Sequence, residues 1–417
     1  MTQRRLLKLG GGMLGALVGL LLLLGLYLSL GKTLGERHTP YTPDSGFDFA
    51  SGSIDDYITY TKQLMQAARL DAPSQTIINN LAPFVLEPDA SCPLTASGKA
   101  ERGIVLIHGL FDSPFSMRPF GEDLRSQCFY VLGLLLPDHG TRPGNILTAH
   151  WEAWAEATHF ATSQLAQHAD TLFVSGHSAG GTLALLEAAR NPEVDALILF
   201  APALAITPAA KLAKYLAPLG TLFPKAAWFD VSPDEAIYRY ESTPLAAAAE
   251  MYELIEVTQA ELAGQQRQVP VFTVASVEDN TVGTQAILTY MASNTHLRSR
   301  TLLYSEHFYP TTDRVRIVSS STLEQQVLSV SHLGLMTPPS HSYYGYKGVY
   351  RNCGHYGTTD EPLFVQCKAG QRDYYGEATD ENLALGVVER IAFNPFYESM
   401  LAAMQDFLLA PHIASTE

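Results

Sequence analysis

The chain has 417 residues, 47% hydrophobic and 17% charged, the composition of a folded globular protein with room for one large domain or two ordinary ones. Its formal net charge of −15 at pH 7 argues against nucleic acid as the main partner, since phosphate contacts need clustered Lys and Arg. Small neutral or apolar substrates remain open.

Residues 1–8 carry Arg4, Arg5 and Lys8, and no charged residue follows from Leu9 to Gly31. An apolar stretch of that length with no polar face predicts a transmembrane helix over 9–31. A cleaved signal peptide has a shorter apolar region and ends in a small-x-small site, which Ser29-Leu30-Gly31 matches only weakly. The cations before the span, set against Lys32 and Arg37 after it, place residues 1–8 in the cytoplasm. The expected localisation is therefore the inner membrane, single-pass, with residues beyond the span on the periplasmic or other extracytoplasmic side. Residues 32–50 are rich in Gly, Thr, Pro and charge and read as a linker, followed by a folded domain over 51–417.

Residues 54–70 have a helical pattern, and from about residue 102 short apolar runs alternate with helical stretches. "GIVLIHG" (103–109) is a continuous β-branched run, which suits a buried parallel strand. His108-Gly109 then allows a sharp turn that presents the N–H of Phe111, while the His108 side chain reads as a buried brace of that loop. "FYVLGLLLP" (129–137), "TLFVSG" (171–176), "ALILFAP" (196–202) and "VPVFTVAS" (269–276) repeat the strand pattern, with helices over 151–168 and 180–190 between them. Such alternation implies a mostly parallel sheet with helices on both faces. Residues 203–262 are too long for one crossover and read as a helical cap. Residues 338–376 follow neither period and read as an irregular insertion bearing two cysteines.

"VSGHSAG" (174–180) lies between an apolar run and a helical one. A sharp strand-to-helix turn strains the residue at its apex, and glycines at 176 and 180 leave room around it, so Ser178 is the candidate nucleophile. The N–H of Ala179 then sits at a helix N-terminus, where orphan donors favour a developing oxyanion. A hydroxyl nucleophile needs an acid and a base from later strand ends. "VASVEDNTV" supplies Asp279, with Glu278 as the alternative, and "VLSVSHLGLM" supplies His332 at the lip of a loop, with His307 and His341 as alternatives. Cys92, Cys128, Cys353 and Cys367 have no zinc-site spacing. In an oxidising compartment the expected pairs are Cys92 with Cys128 and Cys353 with Cys367, and four free thiols remain the alternative.

The order of "HGLFDSPFSMRPFGEDL", "LLLPDHGTRP", "GHSAGG", a helical cap, "VEDNTV" and "SVSHLG" resembles the α/β-hydrolase family, most closely its monoacylglycerol lipase, lysophospholipase and carboxylesterase-like members, over about residues 100–335. The resemblance implies an eight-stranded sheet and a serine hydrolase using Ser178, Asp279 and His332, with the N–H groups of Phe111 and Ala179 as oxyanion donors. The chain departs from the pattern in its N-terminal span, its long separation between Asp279 and His332, and its insertion after His332. Serine at the turn, in place of a carboxylate, disfavours dehalogenase or epoxide hydrolase chemistry. Leu204, Ile206, Leu212, Tyr215, Leu216, Leu219, Leu222, Phe223 and Trp228 of the cap are candidates to line an acyl pocket, or simply to pack on the domain. The expected function is hydrolysis of acyl or lipid esters by a membrane-anchored enzyme through an acyl-enzyme, with small acyl esters or lipids as substrate and no metal or cofactor. A serine peptidase or amidase, or a non-catalytic binding protein on the same fold, are the alternatives.

Overall fold

A computed structural model describes residues 33–205, 210–216, 220, 223–265, 268–307, 312–357 and 360–409, together with residues 18, 19 and 25. Strands β1 (Phe84–Leu86), β2 (Ala100–Ile107), β3 (Phe129–Leu134), β4 (Ala169–His177) and β5 (Val194–Phe200) come first. Two short strands, β6 (Trp228–Asp230) and β7 (Thr243–Pro244), pair with each other within the segment 203–262. Then β8 (Val271–Ser276), β9 (Arg300–Tyr304) and β10 (Val315–Val318) complete an eight-stranded sheet of order β1-β3-β2-β4-β5-β8-β9-β10. Only β1 runs antiparallel to its neighbour in that sheet. Finally β11 (Tyr374–Gly376) and β12 (Val388–Arg390) form a parallel pair near the C-terminus.

The apolar runs become these strands because a parallel sheet covered on both faces has no polar side to alternate with. Every residue of β3 and of β8 is buried. Strand order reverses direction between β2 and β4, so the loops after β2, β4 and β8 meet at the carboxyl ends of neighbouring strands, where open α/β sheets bind ligands.

Several expectations change. The transmembrane helix and the inner-membrane localisation built on it are corrected: among the described residues no helix is long and apolar enough to cross a membrane. Residues 9–31, apart from 18, 19 and 25, lie outside the described residues. The stretch 33–50, read as a linker, is fastened to the body. Tyr41 exchanges two backbone hydrogen bonds with the Asn145 side chain, and Phe47 and Phe49 pack on Phe160 at 5.7 and 5.3 Å between ring centres. Aromatic rings in a polar context gave that segment a half-buried face that composition does not reveal. The stretch 338–376 contains a short helix, Pro362–Lys368, besides β11. The two short strands β9 and β10 carry too few residues to show a period.

The cysteines pair as Cys92–Cys128 and Cys353–Cys367, and none is free. Closing loops 36 and 14 residues long removes conformational freedom from the unfolded chain. Reduction with thiol should therefore lower the unfolding free energy by roughly 3–4 kcal/mol per bridge, read as a fall in the urea midpoint against the oxidised protein.

Candidate active site

Ser178 sits between β4 and the helix Ala179–Arg190 with φ 54° and ψ −116°, a conformation costly for any residue with a Cβ. The turn closes by backbone contact. A Cβ on Gly176 would lie 2.1 Å from the Gly180 carbonyl oxygen, and one on Gly180 would lie 2.2 Å from that of Ile107. Ser178 N–H donates to Phe200 O at 2.9 Å, and Gly181 and Thr182 N–H donate back to Ser178 O at 3.0 and 3.2 Å. The Ala179 N–H, at the first helical position, is among the donors a helix cannot satisfy internally.

His332 Nδ1 lies 2.6 Å from Asp279 Oδ2, with both side chains buried. The other Asp279 oxygen accepts from the N–H groups of Thr281 and Val282 at 2.7 and 3.1 Å. Burial pushes this carboxyl up, yet the His332 charge and hydrogen bond, with the two amides, outweigh it and hold Asp279 below the usual carboxylate range. An ionised carboxylate only accepts, so His332 Nδ1 carries the proton of this bond and Nε2 faces away from Asp279. Glu278 points elsewhere, accepting from Ser276 Oγ and from the Glu306 N–H. His307 is exposed, and His341 Nδ1 accepts from the N–H groups of Tyr343 and Tyr344.

A cavity of about 210 Å³ joins these groups. Ser178, Ala179 and His332 line it together with Leu110, Met251 and Ile255, the last two from the helix Leu245–Gly264. The acyl-lining candidates of the segment 203–262 are placed otherwise. Leu212, Tyr215, Leu216 and Phe223 are exposed, Leu204 and Trp228 are buried in packing, and residues 206, 219 and 222 lie outside the described residues.

Phe111, expected as the second oxyanion donor, has its N–H directed to His139 Nε2 at 3.1 Å, so that amide is committed to the loop after β3. Since Nε2 accepts, the His139 proton is on Nδ1, which donates to Pro137 O at 2.9 Å. Burial pushes His139 down to about 4, so it stays neutral and keeps this acceptor. The preceding amide, Leu110 N–H, has no hydrogen-bond partner among the described residues. His108 is a neutral brace: Nε2 accepts from Leu136 N–H at 3.0 Å and Nδ1 donates to Gly109 O at 2.8 Å. His177 Nε2 donates to His332 O at 3.0 Å, which helps set the backbone of the base.

Two further residues escape a reading of the sequence. Glu377, fully buried, accepts from the His332 N–H at 3.3 Å and from Arg390 Nη2 at 3.0 Å. Arg390 Nη2 also donates to Thr281 Oγ1 at 2.6 Å and Asn280 Oδ1 at 3.2 Å, both in the Asp279 loop. One ion pair thus ties the acid loop to the base loop, 53 positions apart. Neither residue lies in a motif, and both follow the insertion 338–376, where no sequence pattern singles them out.

A family model described as serine aminopeptidase, S33, matches residues 98–309, about half of the chain. The thermostable monoacylglycerol lipase of Bacillus sp. (strain H-257) is 29% identical over 187 residues, covering 43% of this chain and 71% of that protein. A probable alcohol acetyltransferase of Saccharomyces cerevisiae is 26% identical over 102 residues, 24% of this chain and 30% of that protein. Among solved structures, the monoacylglycerol lipase of Paleococcus ferrophilus superposes with a TM-score of 0.42 at 19% identity, covering 54% of this chain and 88% of that one.

Gly176→Ala should destabilise the fold by about 3 kcal/mol, because backbone and not a flexible side chain occupies the space of the new methyl, and urea unfolding measures the loss. Arg390→Ala should cost about 3–5 kcal/mol by leaving the Glu377 carboxylate buried alone. The pair Glu377→Gln with Arg390→Met should cost less than Arg390→Ala alone, a non-additivity that the same unfolding curves resolve.

Proposed function

As this chain belongs to the serine aminopeptidase family of α/β-hydrolases and is a lipase- or esterase-like serine hydrolase, we propose that it cleaves acyl esters by nucleophilic catalysis through Ser178, His332 and Asp279. The observation that carries the reading is the 2.6 Å contact of His332 Nδ1 with Asp279, opening on the same cavity as the strained Ser178.

In this reading His332 Nε2 takes the Ser178 proton as Oγ attacks the ester carbonyl, and Asp279 stabilises the imidazolium that forms. The oxyanion is held by Ala179 N–H and by Leu110 N–H, the amide that Phe111 leaves free for this role. The proton passes from His332 to the departing alcohol, and an acyl-enzyme remains on Ser178. Water, deprotonated by the same imidazole, then releases the acid. The neutral histidines His108, His139 and His177 keep competing acceptors and donors fixed around the loop. The acyl chain lies against Met251 and Ile255, which suits an acylglycerol or related lipid, as the name of the Bacillus relative suggests for this class.

Assay of the full chain on nitrophenyl esters from acetyl to palmitoyl tests the reading. Turnover should peak at one chain length, and Ser178→Ala and Asp279→Asn should each lower kcat by about 10³-fold or more. A folded protein that leaves every ester intact and resists a fluorophosphonate probe would be a binding protein. Faster turnover of aminoacyl amides than of esters would make it a peptidase.

A further inference from the structure

The cavity over Ser178 contains a cation whose donors are unused. Arg239 lies in the stretch between β6 and β7, and the backbone on either side of it is fastened to the loop after β2. Ser113 Oγ donates to Tyr238 O at 2.7 Å, and Tyr240 N–H donates to Phe111 O at 2.7 Å. Flanking rings anchor the same stretch: Tyr238 stacks on Phe115 at 3.7 Å, and Tyr240 Oη accepts from the Thr141 N–H at 2.7 Å. Arg239 is therefore held at the wall it shares with Ser178, Asp112 and His332. Its charge reaches Asp112 and His177, which line the same cavity, and Arg239 also borders a second cavity beside Arg69 and Asp234.

Among the described residues no carboxylate forms an ion pair with Arg239, and its buried Nε has no hydrogen-bond partner. Arg390, the other cation at the cavity, is already taken by Glu377, Thr281 and Asn280. Asp112 has a buried oxygen, Oδ1, that also lacks a partner, and burial pushes its carboxyl up toward the neutral form. Arg239 is half-buried, and the Nε donor it buries without a partner is costly unless a ligand completes it. Its planar fork matches the two oxygens of a carboxylate or phosphate. Met251, Ile255, Val282 and Leu333 make the remaining wall apolar, which gives the acyl chain its place and leaves the anion on the alcohol side.

We propose that Arg239 forms an anion subsite beside Ser178, so that the preferred substrates are acyl esters whose alcohol part carries a phosphate or carboxylate. This rests on the ester-hydrolase reading of Ser178. The subsite discriminates by position as well as charge, because a bidentate contact sets the scissile carbonyl relative to Oγ.

Binding to the full-length Ser178→Ala protein, measured by calorimetry, tests the subsite without turnover. The ligands are octanoylglycerol, octanoylglycerol phosphate and the octanoyl ester of glycolate, equal in acyl chain. At least one anionic ester should bind about tenfold or more tightly than the neutral one. Adding Arg239→Met should remove that preference, and Arg239→Lys should keep part of it. Which anionic ester binds better separates phosphate from carboxylate. Equal binding of all three, or a preference that survives Arg239→Met, overturns the inference. If Arg239→Met does not fold, inorganic phosphate should weaken only the anionic esters in the Ser178→Ala protein, and equal competition against all three overturns it. Hydrolysis of octanoylglycerol by the unsubstituted protein tests the hydrolase reading separately.

Discussion

The site depends on a contact between backbones that no side chain could occupy. Gly180 rests on the carbonyl of Ile107 and Gly176 on that of Gly180, which forces the residue between them into a positive φ. Those contacts do three things at once. They lift Ser178 off the end of β4, they aim the start of the helix Ala179–Arg190 at the cavity, and they lock that helix to the neighbouring strand β2. The strain at Ser178 persists because the parallel sheet on either side leaves the turn no other path.

A second constraint concerns distance along the chain. Asp279 follows β8 directly, but His332 comes after β9, β10 and a loop with little regular structure. Loops of that kind do not hold a side chain to a fraction of an ångström by themselves. Here the C-terminal segment supplies the rigidity: Glu377 holds the His332 amide, Arg390 grips the Asp279 loop, and Asn394 N–H donates to Thr337 O at 2.7 Å. Cys353–Cys367 closes part of that same segment. The buried Glu377–Arg390 pair gains little net stability over apolar packing, so its worth lies in the register it imposes between two loops.

The cavity that results has two characters. One wall is aliphatic and comes from the helix Leu245–Gly264 and from Leu333, while the other carries Asp112 and Arg239 with unmet hydrogen-bonding capacity. The residues that create the polar wall are clamped by the loop after β2, the loop that also carries the Leu110 amide. Recognition of the alcohol part and stabilisation of the oxyanion would then share one support, so a change in either is felt by both.

The amino-acid sequence by itself determined the parallel sheet and the glycine-flanked serine turn, because each is a local matter of apolar runs and missing Cβ atoms, whereas four cysteines allow three connectivities and the two bridges were settled by which sulfurs the fold brings together. It narrowed the acid and base to Asp279 against Glu278 and to three histidines, since a strand end names candidates without saying which carboxylate faces which ring. Only the tertiary structure decided that Glu278 is drawn to the loop after β9, that Phe111 gives its amide to His139, and that residues 33–50 are packed on the body. It also decided that Met251 and Ile255 line the cavity, while Leu212 and Leu216 are exposed and Leu204 is buried in packing. Each of these outcomes depends on a partner tens of positions away, and a hydrogen bond or packing contact of that kind leaves no period in the chain that makes it.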